Sequence, residues 1–299
     1  MQSCVRWFRS AKQDTGLGLI AGLGLLLYIV FIVAPIFMSL NSSFTDENPL
    51  ESQSHFVGLA NYRSMLHDTE LHSTIVFTLA LALGVTIMAN VIGVLFAVLL
   101  NRTQLHYRVL RTLAFLPQVI SGVITGFVWK TIFTEDGILN TLLTHLGLIH
   151  TPVQWLGTPH LAQLSVGIVV TWVLSGFTTV VYLAALQSIP AELYDAGSID
   201  GASTFQQFRM ITLRMVAPAT TISVTISLIT VLKLYDIITV LTSGGPAFST
   251  ESTAQYIVKV AFTNDQFGYA SAIAIALLLM SAVIALTVTG LLRRREVDL

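Results

Sequence analysis

Six stretches of this 299-residue chain stay apolar for about 20 residues or more, the length that takes an α-helix across a bilayer. They lie near Leu17–Leu40, Thr74–Leu100, Leu113–Phe133, Leu161–Leu186, Val216–Leu241 and Ala270–Leu292. Within lipid each run must satisfy its own backbone hydrogen bonds, and a helix does so. Composition agrees: 10% of residues are charged and 54% hydrophobic, where a soluble domain carries about 25% charged residues. The expectation is an all-α integral membrane protein. Arg6, Arg9 and Lys12 precede the first run, as in a signal peptide, but that run is too long for a signal core and lacks a clean cleavage site. It is read as a retained helix.

The basic residues orient the spans. With both termini cytoplasmic, the inner side carries Arg6, Arg9, Lys12, Arg102, Arg108, Arg111, Arg209, Arg214 and Arg293 to Arg295. The outer side carries Arg63, Lys130 and Lys259, together with the acidic Asp46, Glu47, Glu51, Asp68, Glu70, Glu135 and Asp136. That asymmetry follows the positive-inside rule. A net charge of -1 argues against a nucleic-acid partner. The single cysteine, Cys4, excludes an internal disulfide or a cysteine-built metal site. His145, His150 and His160 lack zinc-ligand spacing and read as solvated loop residues. The four lysines Lys12, Lys130, Lys233 and Lys259 never follow glycine, so no phosphate-binding Gly-Lys-Ser/Thr loop exists. No His-Glu-x-x-His or Gly-x-Ser-x-Gly occurs either, and no enzyme is expected.

One polar segment interrupts the oily pattern, from Pro190 to Pro218. Pro190 suits a helix start, with Glu192 and Asp195 near the positive end of the dipole. Leu193, Ala196 and Ile199 share a face, and Asp200-Gly201 signals a stop. Ser203 and Gln206 stand at capping-box spacing, and Phe205, Phe208, Ile211 and Met215 recur at helical intervals. The pattern predicts two short helices forming a compact knob, and equally fits an amphipathic segment lying flat on lipid.

Asp195-Ala196-Gly197-x-x-Asp200-Gly201-Ala202, followed by Phe208, Ile211 and Leu213, resembles the E-A-A-x-x-D-G-A loop of ABC-importer permeases. Here Asp195 stands for the family Glu, Gly197 for the second Ala, and Arg214 for the usual Pro, which leaves the helix uninterrupted where the family often bends it. Phe56-Val57-Gly58-Leu59-Ala60-Asn61-Tyr62, Arg111-Thr112-Leu113 with Leu116-Pro117, Trp129-Lys130-x-Ile132-Phe133, Lys233-x-x-Asp236 and Leu241-Thr242-Ser243-Gly244-Gly245-Pro246 are similar to segments of the carbohydrate-uptake branch. Within that branch the chain looks most like the first of two paired permeases, the maltose and glycerol-phosphate type.

The resemblance implies the type I importer fold, with six transmembrane helices and a cytoplasmic coupling loop. Residues 1–70 would hold the tail, first helix and acidic outer segment, residues 71–292 a five-helix core with the coupling loop at 188–215, and residues 293–299 a cytoplasmic tail. It implies a bacterial cytoplasmic-membrane permease that imports a sugar or a polyol- or glycerol-phosphate-like solute. A second permease, two ATPase subunits and an extracytoplasmic solute-binding protein would complete it. ATP would be used by the partner, and this chain would bind no cofactor. Glu192, Asp195, Ala196, Gly197, Asp200, Gly201, Ala202 and Phe208 would couple to the ATPase, and Gly244, Gly245 and Pro246 would meet the binding protein. The rival reading is an ATP-independent secondary transporter or channel.

Polar residues inside the apolar runs are candidates for the solute path: Asn90, Ser223, Ser227, Thr230, Lys233 and Asp236. Thr220, Ser223, Ser227 and Thr230 share a hydroxyl-bearing face that suits either a polyol or helix packing. Lys233 and Asp236, three residues apart on one helix, can pair as a packing ion pair or line a gate. Ala89, Gly93 and Ala97 form a small-residue packing face, and Pro117 is expected to kink the third span.

Overall fold

A computed structural model describes residues 20–51, 53–102 and 104–294, which are helical almost throughout. Cys4, Arg6, Arg9, Lys12, Leu17 and Arg295 lie outside the described residues. The helices are α1 (Ile20–Ser42), α2 (Ala60–Met65), α3 (Thr69–Leu100), α4 (Leu105–Val119), α5 (Gly122–Ile132), α6 (Ile138–His145) and α7 (Pro159–Gln187). They continue with α8 (Ala191–Ile199), α9 (Thr204–Met215), α10 (Ala217–Leu232), α11 (Asp236–Leu241), α12 (Thr253–Phe262) and α13 (Phe267–Arg293). Among the described residues four helices, α1, α3, α7 and α13, are long and apolar enough to cross a membrane. Two bent pairs, α4–α5 and α9–α10, bring the count to six where each pair is taken as one span.

The chain divides into two compact units, one of residues 1–67 and 259–276, the other of 68–258 and 277–299. In the first unit α1 passes through a π-helical turn at Ile29–Val33 and buries none of its apolar window. The segment after it explains why Gly58 and Asn61 matter. Gly58 takes φ +58°, and Asn61 Nδ2 donates to the carbonyls of Ser43 and Thr45 at 2.9 and 2.8 Å. Tyr62 and Ser43 share a hydrogen bond of 2.8 Å. Gly268, at the start of α13, packs directly on the Thr45 carbonyl, and its N–H donates to Glu47 O at 3.0 Å. A side chain at position 268 would break that clasp.

The second unit is built around α3, α7 and α10. Its core joins Phe77, Leu81, Val85 and Ala89 of α3 to Val166, Val169, Val170 and Leu174 of α7 and to Leu228, Val231 and Leu232 of α10. The α3–α7 crossing is as close as the small residues Ala89, Gly93 and Ala97 predict. Thr178 of α7 rests on Gly93, and its Oγ1 donates to Ala89 O at 2.8 Å. Gly176, nearby on α7, lies against the Ala114 carbonyl of α4. Asp68 caps α3 by accepting from Leu71 N at 2.9 Å and also accepts from Tyr256 Oη at 2.7 Å.

Three expectations about the spans need correction. The third span is not one helix kinked at Pro117. Pro117 lies buried inside α4, and the chain turns by 100° three residues later, where Ile120 and Ser121 are extended. The fifth span does not run unbroken to Leu241. It stops at Leu232 and restarts at Asp236. Nor does Arg214 keep the entry to that span straight, since α9 and α10 meet at 64° around Val216. Pro218, in the first turn of α10, supplies no N–H and its ring excludes a continuous helix back to Arg214.

Candidate functional site: the coupling knob and the polar interior

The segment after α7 forms the knob anticipated from its pattern. Pro190 is the N-cap of α8, Glu192 sits in the first turn, and the helix ends at Asp200 with Gly201 at φ +73°. That left-handed turn favours glycine. Ser203 then starts α9 with a complete capping box: Gln206 N donates to Ser203 Oγ at 3.4 Å, and Ser203 N donates to Gln206 Oε1 at 2.8 Å.

Three contacts fold α8 onto α9. Tyr194 Oη and Thr212 Oγ1 share a hydrogen bond of 2.9 Å, and Gln207 Nε2 donates to Ser198 Oγ at 2.9 Å. Gly197 faces Ile211 and Gln207, so the glycine that replaces an alanine here provides room for the second helix. Glu192, Asp195, Ala196, Asp200 and Gly201 stay exposed, while Gly197, Ala202 and Phe208 are half-buried beneath them. Ile199 at 87% and Phe205 at 71% exposure add an apolar rim to the acidic face. Phe208 opens a π-helical turn, Phe208–Thr212, leading to the bend at Val216.

The six candidate path residues do not converge. Asn90, Ser223 and Ser227 are buried where α3, α7 and α10 meet. Tyr182 of α7 donates to Asn90 Oδ1 at 2.9 Å, and Asn90 Nδ2 donates back along its own helix to Thr86 O at 2.8 Å. Ser223 lies beside the same phenol, but its Oγ, like those of Ser227 and Thr86, has no hydrogen-bond partner among the described residues. Thr230, one turn on, is exposed and bonds only to Ile226 O. Lys233 is exposed beyond the end of α10, whereas Asp236 is half-buried and turned onto Gly122. Neither a hydrogen bond nor an ion pair joins the two, because the break at 233–235 removes the shared helix that spacing three would need.

A groove of about 740 Å³ between α3 and α7 contains none of these six residues and is walled by Phe77, Met88, Phe96, Leu164 and Trp172. Its apolar lining offers little to a polyol.

At the other end of α11, Gly244 is buried and takes φ +83°, and Gly245 and Pro246 are half-buried. Thr250 pins them by donating to Gly245 O at 2.7 Å. The residues the turn exposes are Ala247 and Phe248. Sequence reasoning missed Asn140, which is buried and stitches the segment from Thr134 to Trp155. Its Nδ2 donates to the carbonyls of Thr134, Glu135 and Val153, while its Oδ1 accepts from Val153 N and Trp155 Nε1. The only signal was an asparagine within the short helix Ile138–His145. His145, His150 and His160 are exposed, and no metal-holding cluster exists among the described residues.

Long apolar helices, bent helix pairs and an exposed, self-supported helical knob are the architecture of a polytopic membrane protein. The model of the family described as "Binding-protein-dependent transport system inner membrane component" matches residues 89–297, and the chain belongs to that family. It is 34% identical over 275 residues to the probable starch degradation products transport system permease protein AmyD of Thermoanaerobacterium thermosulfurigenes, covering 92% of this chain and 93% of the relative. It is 33% identical over 291 residues to the trehalose/maltose transport system permease protein MalF of Thermococcus litoralis, covering 96% of each. Among solved structures, a chain of a bacterial ABC transporter that imports the acidic polysaccharide alginate superposes with a TM-score of 0.82 at 23% identity, covering 97% of this chain and 99% of that one.

Proposed function

We propose that this chain is the membrane-spanning permease of an ATP-driven, binding-protein-dependent importer for a sugar or a related polyol-like solute. The observation that carries the solute class is the near full-length similarity to permeases named for starch degradation products and for trehalose and maltose. A second permease and two ATPase subunits complete the assembly, with ATP bound and hydrolysed only by the ATPases. A solute-binding protein docks on the outer side, as a periplasmic protein does in the alginate transporter complex. The excess of arginine at the start of α4, within α9 and at the end of α13 favours both termini, and the knob, on the cytoplasmic side.

The knob is the coupling element. Glu192, Asp195 and Asp200 present carboxylates and Ile199 and Phe205 present apolar surface on a frame that is already rigid. A rigid frame can pass a push from an ATPase groove into α10 through Val216, where a flexible loop would absorb it. Ser223, beside Tyr182, and Ser227, one turn on, are buried in the interior and are the hydroxyls best placed to meet a solute when the helices separate. On the outer side Ala247 and Phe248, held out by the Gly244–Pro246 turn, meet the binding protein.

The test is a mild-detergent pull-down of the tagged chain from native membranes, with mass spectrometry of what accompanies it. A second permease and a P-loop ATPase should appear, and the ATPase should be lost when Asp195–Ala202 is deleted. Recovery of the chain alone, moving solute in liposomes without ATP, overturns the reading.

A further inference from the structure

The breaks in the third and fifth spans meet each other. A Cβ built on Gly122, the first residue of α5, would fall on the Asp236 carboxylate, which therefore occupies the space beside that glycine. One turn on, a Cβ at Gly126 would lie 3.0 Å from Val240 Cβ and 3.2 Å from Ile237 O. Two glycines of α5 thus accept α11 at contact distance, in a register that any side chain would disturb. The first-turn amides of α5 have no intrahelical acceptor, and its N-cap Ser121 makes no side-chain cap. A carboxylate beside the positive end of a helix favours the amides that lack an intrahelical acceptor. The half-buried Asp236 carboxylate, unpaired with the lysine three residues before it, packs against this end of α5.

We propose that Asp236 is a positioning residue that fastens the elbow at Ile120–Gly122 to the start of α11, so that α5 and α11 move as one body during transport. The inference rests on the permease reading above. It makes Gly122 and Asp236 one device: an alanine at 122 drives the carboxylate away, and an alanine at 236 removes it, so both release the elbow.

The experiment uses the whole transporter, reconstituted with its ATPase, partner permease and binding protein. Gly122→Ala and Asp236→Ala should each lower uptake about tenfold, the size expected for a favourably placed charge at a partly buried helix end. ATP hydrolysed per solute moved should rise in both, a shift that mere loss of folded protein does not produce. The double variant should be no worse than the weaker single one, because the two changes undo the same contact. Losses that multiply to about a hundredfold overturn the proposal. If the single variants fail to accumulate, Gly122→Cys with Asp236→Cys, in a Cys4→Ser background, decides the matter. Oxidation should form the disulfide and raise uptake above that of the reduced variant, because the bond refastens the elbow, whereas absence of the bond, or arrest on oxidation, overturns it. Wild-type protein that transports without ATP would sink the permease reading alone, since disulfide formation still reports the contact.

Discussion

The polar side chains of the α8–α9 knob and three hydroxyls of the α3–α7–α10 core are handled in opposite ways. The knob is largely exposed, yet its hydroxyls and amides pair with one another: Tyr194 with Thr212, Gln207 with Ser198, Ser203 with Gln206. The core has far less access to solvent, yet Ser223, Ser227 and Thr86 keep hydroxyls without hydrogen-bond partners among the described residues at near-complete burial. A surface segment that spends its polar groups on itself holds its shape with no help from a partner. An interior that leaves hydroxyls unspent forgoes about 1 kcal/mol of hydrogen bonding at each. The first suits a part that transmits force, the second a part that must open and meet something polar.

The largest effect should come from the contact that closes the core. Gly93→Val pushes a branched side chain into Thr178 and prises α3 from α7. Overpacking of this kind costs about 1–3 kcal/mol, here in a crossing with no space to relax. A marked fall in the melting temperature of the detergent-purified chain checks it. An unchanged melting temperature would mean that the two helices do not depend on this crossing.

Next in size is Asn90→Leu, which deprives the Tyr182 hydroxyl of its acceptor at 2.9 Å and leaves it buried. The expected loss is about 1 kcal/mol, near the mean for hydrogen bonds between membrane helices. Tyr182→Phe in the same background should then cost little more, since the bond is already gone. Additive losses would show that the two residues act separately.

Ser203→Ala turns the comparison to the knob. Losing the capping box costs about 1 kcal/mol and should act locally. Amide exchange should quicken through Thr204–Gln207 while the melting temperature of the whole chain stays nearly constant. Quickened exchange in α10 as well would mean that the knob and the span unfold together across the bend at Val216.

The same contrast governs what the chain discloses before it folds. Capping box, left-handed Gly201 and the two-helix knob depend on residues no more than 18 positions apart, and spacing alone exposes them. The small face Ala89, Gly93, Ala97 is equally local. The two span breaks are not. The turn at Ile120–Ser121 follows the proline that drew attention and is packed against Asp236, over a hundred residues away. Helical periodicity carried Lys233 and Asp236 onto one helix because nothing between them, Leu234 and Tyr235, is a breaker by type. Asn140 is hidden for a similar reason: its partners reach from Thr134 to Trp155, and no short pattern announces them.

The smallest effect on stability should belong to Ser223→Ala and Ser227→Ala, and it sharpens the comparison most. Neither hydroxyl makes a hydrogen bond of good geometry among the described residues, so melting temperatures should match wild type within about 0.5 kcal/mol. The solute path reading predicts a functional change all the same. In reconstituted transporter, the concentration of loaded binding protein giving half-maximal uptake should be unaltered, because docking is remote from α10. The maximal rate should fall, because the solute loses a hydrogen-bonding group as it passes. Stable variants with unaltered rates would make these serines packing residues, and the polar interior would then be no more than a tight helix crossing.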